Sequence, residues 1–253
     1  MTFQKEEICE GCQKKIKVYS IQIMGGENKG QWQEWRKGCV CEEMKMAKQA
    51  IDNKKNQKLR RTKEIFNRNS LISKDLEKAS FDNFEPNNDL QKYMKKVSGR
   101  YVDIFKLDEP RNLVFSGSFG LGKSHLAKAI ADGIMGNDYT AIFISVPKLL
   151  RKIKSTYSNE SKINEDDIIQ TLEQVDCLIL DDLGAEKSSD WTVERIFDII
   201  DSRQGKHTVY TTNYTPDDLV KRLGERNFSR VINRDTTVLE VEGDNYRLQD
   251  MKG

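Results

Sequence analysis

Gly117-Ser118-Phe119-Gly120-Leu121-Gly122-Lys123-Ser124 is the stretch on which the fold turns. It satisfies G-x-x-x-x-G-K-[ST], and it stands between an apolar run, Leu113–Ser116, and a helical pattern, Ser124–Ile134. A strand, a glycine-rich turn and a helix in that order make a phosphate-binding loop. The glycines let backbone N–H groups converge on phosphate oxygens at the helix N-terminus. Lys123 then neutralises the β- and γ-oxygens, and the Ser124 hydroxyl ligates Mg²⁺. All eight residues of the loop, Gly117 to Ser124, are expected to touch the nucleotide.

Outward from the loop, short apolar runs alternate with helical patterns. Strands are expected at Leu113–Ser116, Ala141–Val146, Cys177–Leu180, Val209–Thr212 and Val238–Val241. Helices are expected to begin at Ser124, Pro147, Glu165, Ser189, Pro216 and Glu225, each with a polar cap or a proline at its start. Strands separated by helices pair in parallel through crossovers, which predicts a three-layer α/β core around a parallel five-stranded sheet.

Cys177-Leu178-Ile179-Leu180-Asp181-Asp182 is an apolar strand ending in two carboxylates. Beside a phosphate loop, the first acid serves Mg²⁺ and the second the attacking water. Asp181 is therefore assigned to the metal and Asp182 to water activation, whereas Cys177 reads as a small buried apolar residue. Val209-Tyr210-Thr211-Thr212 ends in Asn213, whose side chain is placed either to face the γ-phosphate or as a turn residue before the Pro216 helix.

The 116 residues ahead of the loop differ in kind. The whole chain has 253 residues, 37% hydrophobic and 32% charged, with a mean hydropathy of −0.70. Nothing approaches the ~18 apolar residues of a spanning helix, and the start, MTFQKEEICE, lacks the apolar core of a secretory signal. The expected compartment is the cytoplasm, with no membrane partner. The net charge of +2 conceals segregation. Residues 1–43 carry 7 Lys/Arg against 7 Asp/Glu and residues 44–80 carry 11 against 4, which leaves 24 against 29 for the remainder. A neutral head is thus followed by a basic neck and a mildly acidic body. The neck, rich in Lys, Gln, Asn and Arg without Gly or Pro, reads as a sparsely packing helix or a tether, either solvated or attractive to an acidic partner.

Four of the five cysteines fall in the head, as Cys9-Glu10-Gly11-Cys12 and Cys39-Val40-Cys41. In a reducing compartment such pairs read as metal ligands. Between them Tyr19, Ile21, Ile23, Met24-Gly25-Gly26, Trp32 and Trp35 suit a β-hairpin that brings the pairs together. Four thiolates at ~2.3 Å make a tetrahedral Zn²⁺ site, and no βαβ pattern supports a redox role. A head this short has too little core to fold without such a staple.

The polar-ended strand between the two nucleotide-binding strands resembles the AAA+ ATPases. In that likeness Asn213 is the sensor that orients water with Asp182. Phe81-Asp82-Asn83-Phe84, Leu180-Asp181-Asp182-Leu183-Gly184, Leu223-Gly224-Glu225-Arg226-Asn227-Phe228-Ser229-Arg230 and Asp244-Asn245-Tyr246-Arg247 resemble the bacterial and phage replicative helicase loaders of the DnaC/DnaI type, over about Phe81 to Arg247. The resemblance implies an arginine finger at Arg230, offered to a neighbouring subunit in a self-assembly, with Arg226 as the alternative. It also implies a second sensor at Arg247. By the same resemblance Lys154, Tyr157, Ser189 and Trp191 fall at DNA-contacting positions. The basic helix from Pro147 to Tyr157 suits single-stranded DNA, although an ordinary amphipathic helix explains it as well. DnaI-type loaders carry an N-terminal zinc module that engages the hexameric replicative helicase; DnaC-type loaders lack the cysteines.

The expected organisation is a zinc-binding, helicase-interacting module at 1–43, a basic helical linker at 44–80 and an AAA+ ATPase domain at 81–253, with ATP, Mg²⁺ and Zn²⁺ as cofactors. Asp182 stands where many AAA+ enzymes have Glu. A carboxylate one methylene shorter holds water less closely, so slow hydrolysis is expected. The expected function is ATP-dependent delivery of the hexameric replicative DNA helicase to single-stranded DNA at replication initiation. The alternatives are an IstB-like transposase helper and a zinc-dependent adaptor with a vestigial ATPase.

Overall fold

The computed structural model describes residues 1–10, 12–41, 44–51, 53, 57, 72–158 and 163–243. The chain divides into two compact units, 1–57 and 58–253. Among the described residues no helix is long and apolar enough to cross a membrane.

The first unit is a three-stranded antiparallel sheet in the order β1-β2-β3, with β1 at Thr2–Ile8, β2 at Lys15–Gln22 and β3 at Trp32–Lys37. The hairpin read from the sequence is β2–β3; β1 is an additional strand. Ile16 and Val18 turn inward at period two and are the only buried apolar side chains among the described residues of this unit. Tyr19 and Trp35, although apolar, lie on the other side of the sheet. Residues 44–51 are helical, and residues 52, 54–56 and 58–71 of the predicted neck lie outside the described residues.

The second unit contains α1 (Asp89–Asp103), β4 (Asn112–Gly117), α2 (Lys123–Gly136), β5 (Ala141–Ser145), α3 (Val146–Ser155), α4 (Glu165–Gln174), β6 (Cys177–Asp181), α5 (Asp190–Ser202), β7 (His207–Thr211), α6 (Pro216–Leu223), α7 (Glu225–Val231) and β8 (Thr236–Val241). The strands form one parallel sheet in the order β5-β6-β7-β4-β8. The predicted three-layer α/β class is what the chain adopts. Alternate residues of one strand serve opposite layers. Val114, Leu178, Leu180 and Tyr210 pack with Leu149, Ile153, Ile168 and Ile196 on one face. Leu113, Phe115, Ile179 and Val209 pack with Met94, Leu126, Ile130 and Ile134 on the other. Burial on both faces explains why these strands read as continuous apolar runs.

All six predicted helix starts fall within one residue of an observed one. The helix α1 is new, started by Asn88, whose side chain accepts from the Gln91 N–H at 2.8 Å. Arg203, 2% exposed, donates to the carbonyls of Leu172, Glu173, Val175 and His207. It thereby satisfies the carbonyl end of α4 and ties it to the start of β7. The outcome is a rigid sheet whose carboxyl edge carries the phosphate loop and the acidic pair side by side, because β4 and β6 both flank β7.

Candidate functional site

Residues 117–122 fold into a loop only glycine permits at two points. Gly117 has φ +119°, and a Cβ there would lie 2.0 Å from the Val241 carbonyl oxygen of β8. Gly122 has φ +83°, and its Cβ would lie 2.4 Å from the Phe84 ring. Phe84, from the Phe81–Phe84 motif, therefore sits directly on the base of the loop and makes an edge contact with His125 at 5.2 Å. From the first turn of α2, Lys123 is 5% exposed and its Nζ donates to the carbonyls of Gly117 at 2.8 Å and Ser118 at 2.5 Å.

Across the sheet edge Ser124 hydrogen-bonds Asp181. The Thr211 hydroxyl donates to Asp181 Oδ1 at 2.6 Å and accepts from the Asp182 N–H at 3.0 Å. Thr211 thus holds both acids, a role that sequence reading missed. Asp182 has φ +58°, a left-handed conformation that Asp and Asn tolerate better than most residues. It turns the second carboxylate away from the strand, where Asn213 Nδ2 donates to Asp182 Oδ1 at 3.3 Å. Asn213 therefore reaches the site and touches the predicted water-activating acid. A cavity of about 750 Å³ joins the phosphate loop, Asp181, Asp182 and Asn213 to Phe84, Gln91 and Lys148. That volume suits a nucleotide-sized ligand.

Burial pushes the Asp181 carboxyl up to about 6, and the adjacent Asp182 charge adds to the shift; the hydrogen bonds from Ser124 and Thr211 and the nearby Lys123 charge oppose it. A carboxylate held at such a cost suits a cation ligand. The ordinary value is 3.8, so the folded state binds the proton more tightly than the unfolded one. Stability is whole below pH ~4 and declines as pH rises through 6. Asp181→Asn should therefore stabilise the nucleotide-free chain, by on the order of 3 kcal/mol at pH 7.5 and about half that at pH 5. Urea unfolding of both proteins at the two pH values checks this. An equal difference at both would refute the electrostatic origin.

Away from this site, Lys154, Tyr157 and Trp191 come together although 37 positions separate the first from the last. The Trp191 indole N–H donates to the Tyr157 hydroxyl at 3.2 Å, the two rings lie edge to face at 6.4 Å, and the Lys154 ammonium stands 4.5 Å above the indole. The Tyr157 hydroxyl donates to Glu165 at 2.7 Å. Ser189 caps α5, its Oγ accepting from the Thr192 N–H at 3.2 Å. Arg226 and Arg230 both stack on Phe197, at 3.7 and 4.7 Å, and Arg230 Nε donates to Asp201 at 2.6 Å. Neither lines the cavity. Arg247 lies outside the described residues.

In the first unit the Sγ atoms of Cys9, Cys12, Cys39 and Cys41 all lie within 4.8 Å of one another, with Cys9 and Cys39 at 3.4 Å. Tetrahedral ligands at ~2.3 Å stand ~3.8 Å apart, so this donor set fits a structural zinc ion. The neighbouring thiols of Cys12 and Cys9 push Cys41 up to about 12, because thiols packed together disfavour one another's charged form.

Fold and site together define a P-loop ATP-binding protein of the AAA+ type. The chain belongs to the IstB-like ATP binding protein family, whose model matches residues 41–252. It is 32% identical over 177 residues to the replicative helicase loader DnaC of Buchnera aphidicola subsp. Acyrthosiphon pisum, covering 69% of this chain and 71% of the relative. It is 28% identical over 171 residues to that of Escherichia coli K12, covering 67% and 69%. The crystal structure of the DnaC helicase loader superposes with a TM-score of 0.61 at 30% identity, over 67% of this chain and all of that one. The DnaI crystal structure gives 0.58 at 24% identity, over 68% and 95%, a likeness of fold. The resemblance to DnaC/DnaI-type loaders read from the motifs is borne out.

Proposed function

We propose that the chain is an ATP-dependent loader that holds the hexameric replicative DNA helicase and delivers it to single-stranded DNA. The observation that carries this reading is the assembly of phosphate loop, acidic pair and Asn213 on one sheet edge, in a chain 32% identical to a replicative helicase loader. Lys123 binds the β- and γ-phosphates, while Ser124 and Asp181 hold Mg²⁺. The cation neutralises charge on the transferred phosphoryl group. Asp182 accepts the proton of the attacking water, and Asn213 fixes that carboxylate. Because Asp is shorter than Glu, turnover is slow and ATP acts chiefly as a switch between bound and released states.

Arg230 is the arginine finger offered to a neighbouring subunit, a reading supported by its lining no part of its own subunit's cavity; Arg226, which shares the Phe197 platform, is the alternative. Arg247 serves as the second sensor. The Lys154, Tyr157, Ser189 and Trp191 cluster contacts single-stranded DNA, the ammonium attracting phosphate and the rings stacking bases. Cys9, Cys12, Cys39 and Cys41 hold Zn²⁺, residues 1–43 dock on the helicase, and the basic linker at 44–80 joins them to the ATPase domain at 81–253. The cytoplasm is where such a protein acts.

The test is capture of the purified replicative helicase by the immobilised full chain and by a chain lacking residues 1–43. Capture by the full chain alone is expected. Equal capture by both would move the docking element into the neck or the ATPase domain, and no capture by either would favour the IstB-like transposase helper.

A further inference from the structure

The side of the first unit's sheet that faces away from Ile16 and Val18 carries a row of aromatic rings. Phe3, Tyr19 and Trp35 are cross-strand partners on β1, β2 and β3. Their centroids stand 5.8 and 5.9 Å apart. Phe3 is 53% exposed and Trp35 42%. Exposed rings in a row, on a unit with so small a core, are an expensive arrangement unless something stacks on them.

Charge on the two sides differs. On the Ile16/Val18 side, Lys5 pairs with Glu7, and Arg36 with both Glu7 and Glu34, at 3.1 to 3.7 Å; the side neutralises itself. On the aromatic side Lys15 and Lys17 follow Tyr19's alternation along β2, and Lys37 is directly opposite Lys17. Glu6 is the acid that faces them, 3.9 Å from Lys17. Like charges directly opposite each other destabilise a sheet, and a bound polyanion relieves that repulsion. Rings for bases and ammoniums for phosphates, on one continuous face, are the two elements of single-strand recognition.

We propose that this face of the head is a second single-stranded DNA site, distinct from the Lys154–Trp191 cluster of the ATPase unit. The stacking and the charge asymmetry stand without the loader reading; the choice of DNA over RNA rests on it. Each aromatic platform stacks a base whatever its identity, so the site is sequence-tolerant and salt-sensitive.

The test is fluorescence anisotropy of a short fluorescein-labelled oligo-deoxythymidylate, titrated with the full-length zinc-loaded protein over a salt series. Phe3→Ala/Trp35→Ala should weaken binding about tenfold or more per ring lost, and Trp35→Phe should restore most of the Trp35 share. Lys15→Gln/Lys17→Gln/Lys37→Gln removes no apolar contact and should flatten the plot of log affinity against log salt by about 2, from three phosphates at ~0.7 each. Zinc content equal to the parent's verifies the fold, and the lysine variant decides alone if the aromatic one loses its metal. Unchanged affinity and slope in the folded variants would overturn the proposal. So would lost helicase capture with unchanged DNA affinity, because the face would then serve a protein partner. Tighter binding of an oligo-uridylate would overturn the choice of DNA. Capture of the helicase, which reads the loader function, is measured separately, so the two readings fail independently.

Discussion

Lys123→Ala is expected to abolish tight ATP binding, while Asp182→Asn retains binding and loses turnover. The Lys123 ammonium is nearly buried and already oriented by the Gly117 and Ser118 carbonyls. Substrate phosphates therefore meet a preset charge. Hydrogen bonds to charged groups are worth ~1.5–3 kcal/mol each, so loss of two should weaken binding by roughly a hundredfold or more. Asp182 contributes differently. Asparagine keeps the side-chain shape and tolerates φ +58°, so the strand end and the Thr211 contact to the Asp182 N–H survive. What disappears is the proton acceptor, at a cost of ~10²–10⁴ in rate. Nucleotide titration and phosphate release separate the two effects. Equal loss of binding in both variants would show the assignments of charge and base to be wrong.

What the sequence made legible follows from how each feature is encoded. A parallel strand buried on both faces is a run of apolar residues, so β4 to β8 could be read locally, and the phosphate loop is a contiguous pattern whose glycines are required by Val241 and Phe84 crowding them. Thr211 was not legible. Threonine in a strand fits plain β propensity, and only the pairing of β6 with β7 turns it toward both acids. The helix α1 was missed because its buried side includes Gln91 and Ser98 beside Met94, Tyr101 and Val102, which blurs the apolar stripe. β1 was missed for the opposite reason: six of its seven residues are exposed, so no alternation betrays it, and the register with β2 alone defines it. The likeness to the loaders singled out Lys154 and Trp191, but their contact arises from the meeting of α3 and α5, which no local pattern records.

Cys12→Ser should unfold the first unit, leave the second, ATP-binding unit folded and sharply reduce helicase capture without altering ATP affinity. Two buried side chains, Ile16 and Val18, supply only ~3–6 kcal/mol of burial. Ordering tens of residues costs ~1–2 kcal/mol for each backbone, so β-pairing and this small core do not suffice. A structural zinc supplies ~10–16 kcal/mol, enough to make metal binding and folding one event. Removing one of four thiolates leaves an incomplete coordination shell and a unit whose described residues offer no other core. The second unit keeps its own five-stranded sheet and its own core on both faces. Metal analysis of the parent should give about one zinc per chain, and chelation should reproduce the effect of the substitution. A parent without zinc, or a Cys12→Ser protein that still captures the helicase, would defeat the metal-stapled head. Docking would then pass to the basic residues between 44 and 80, whose capture would fall with rising salt.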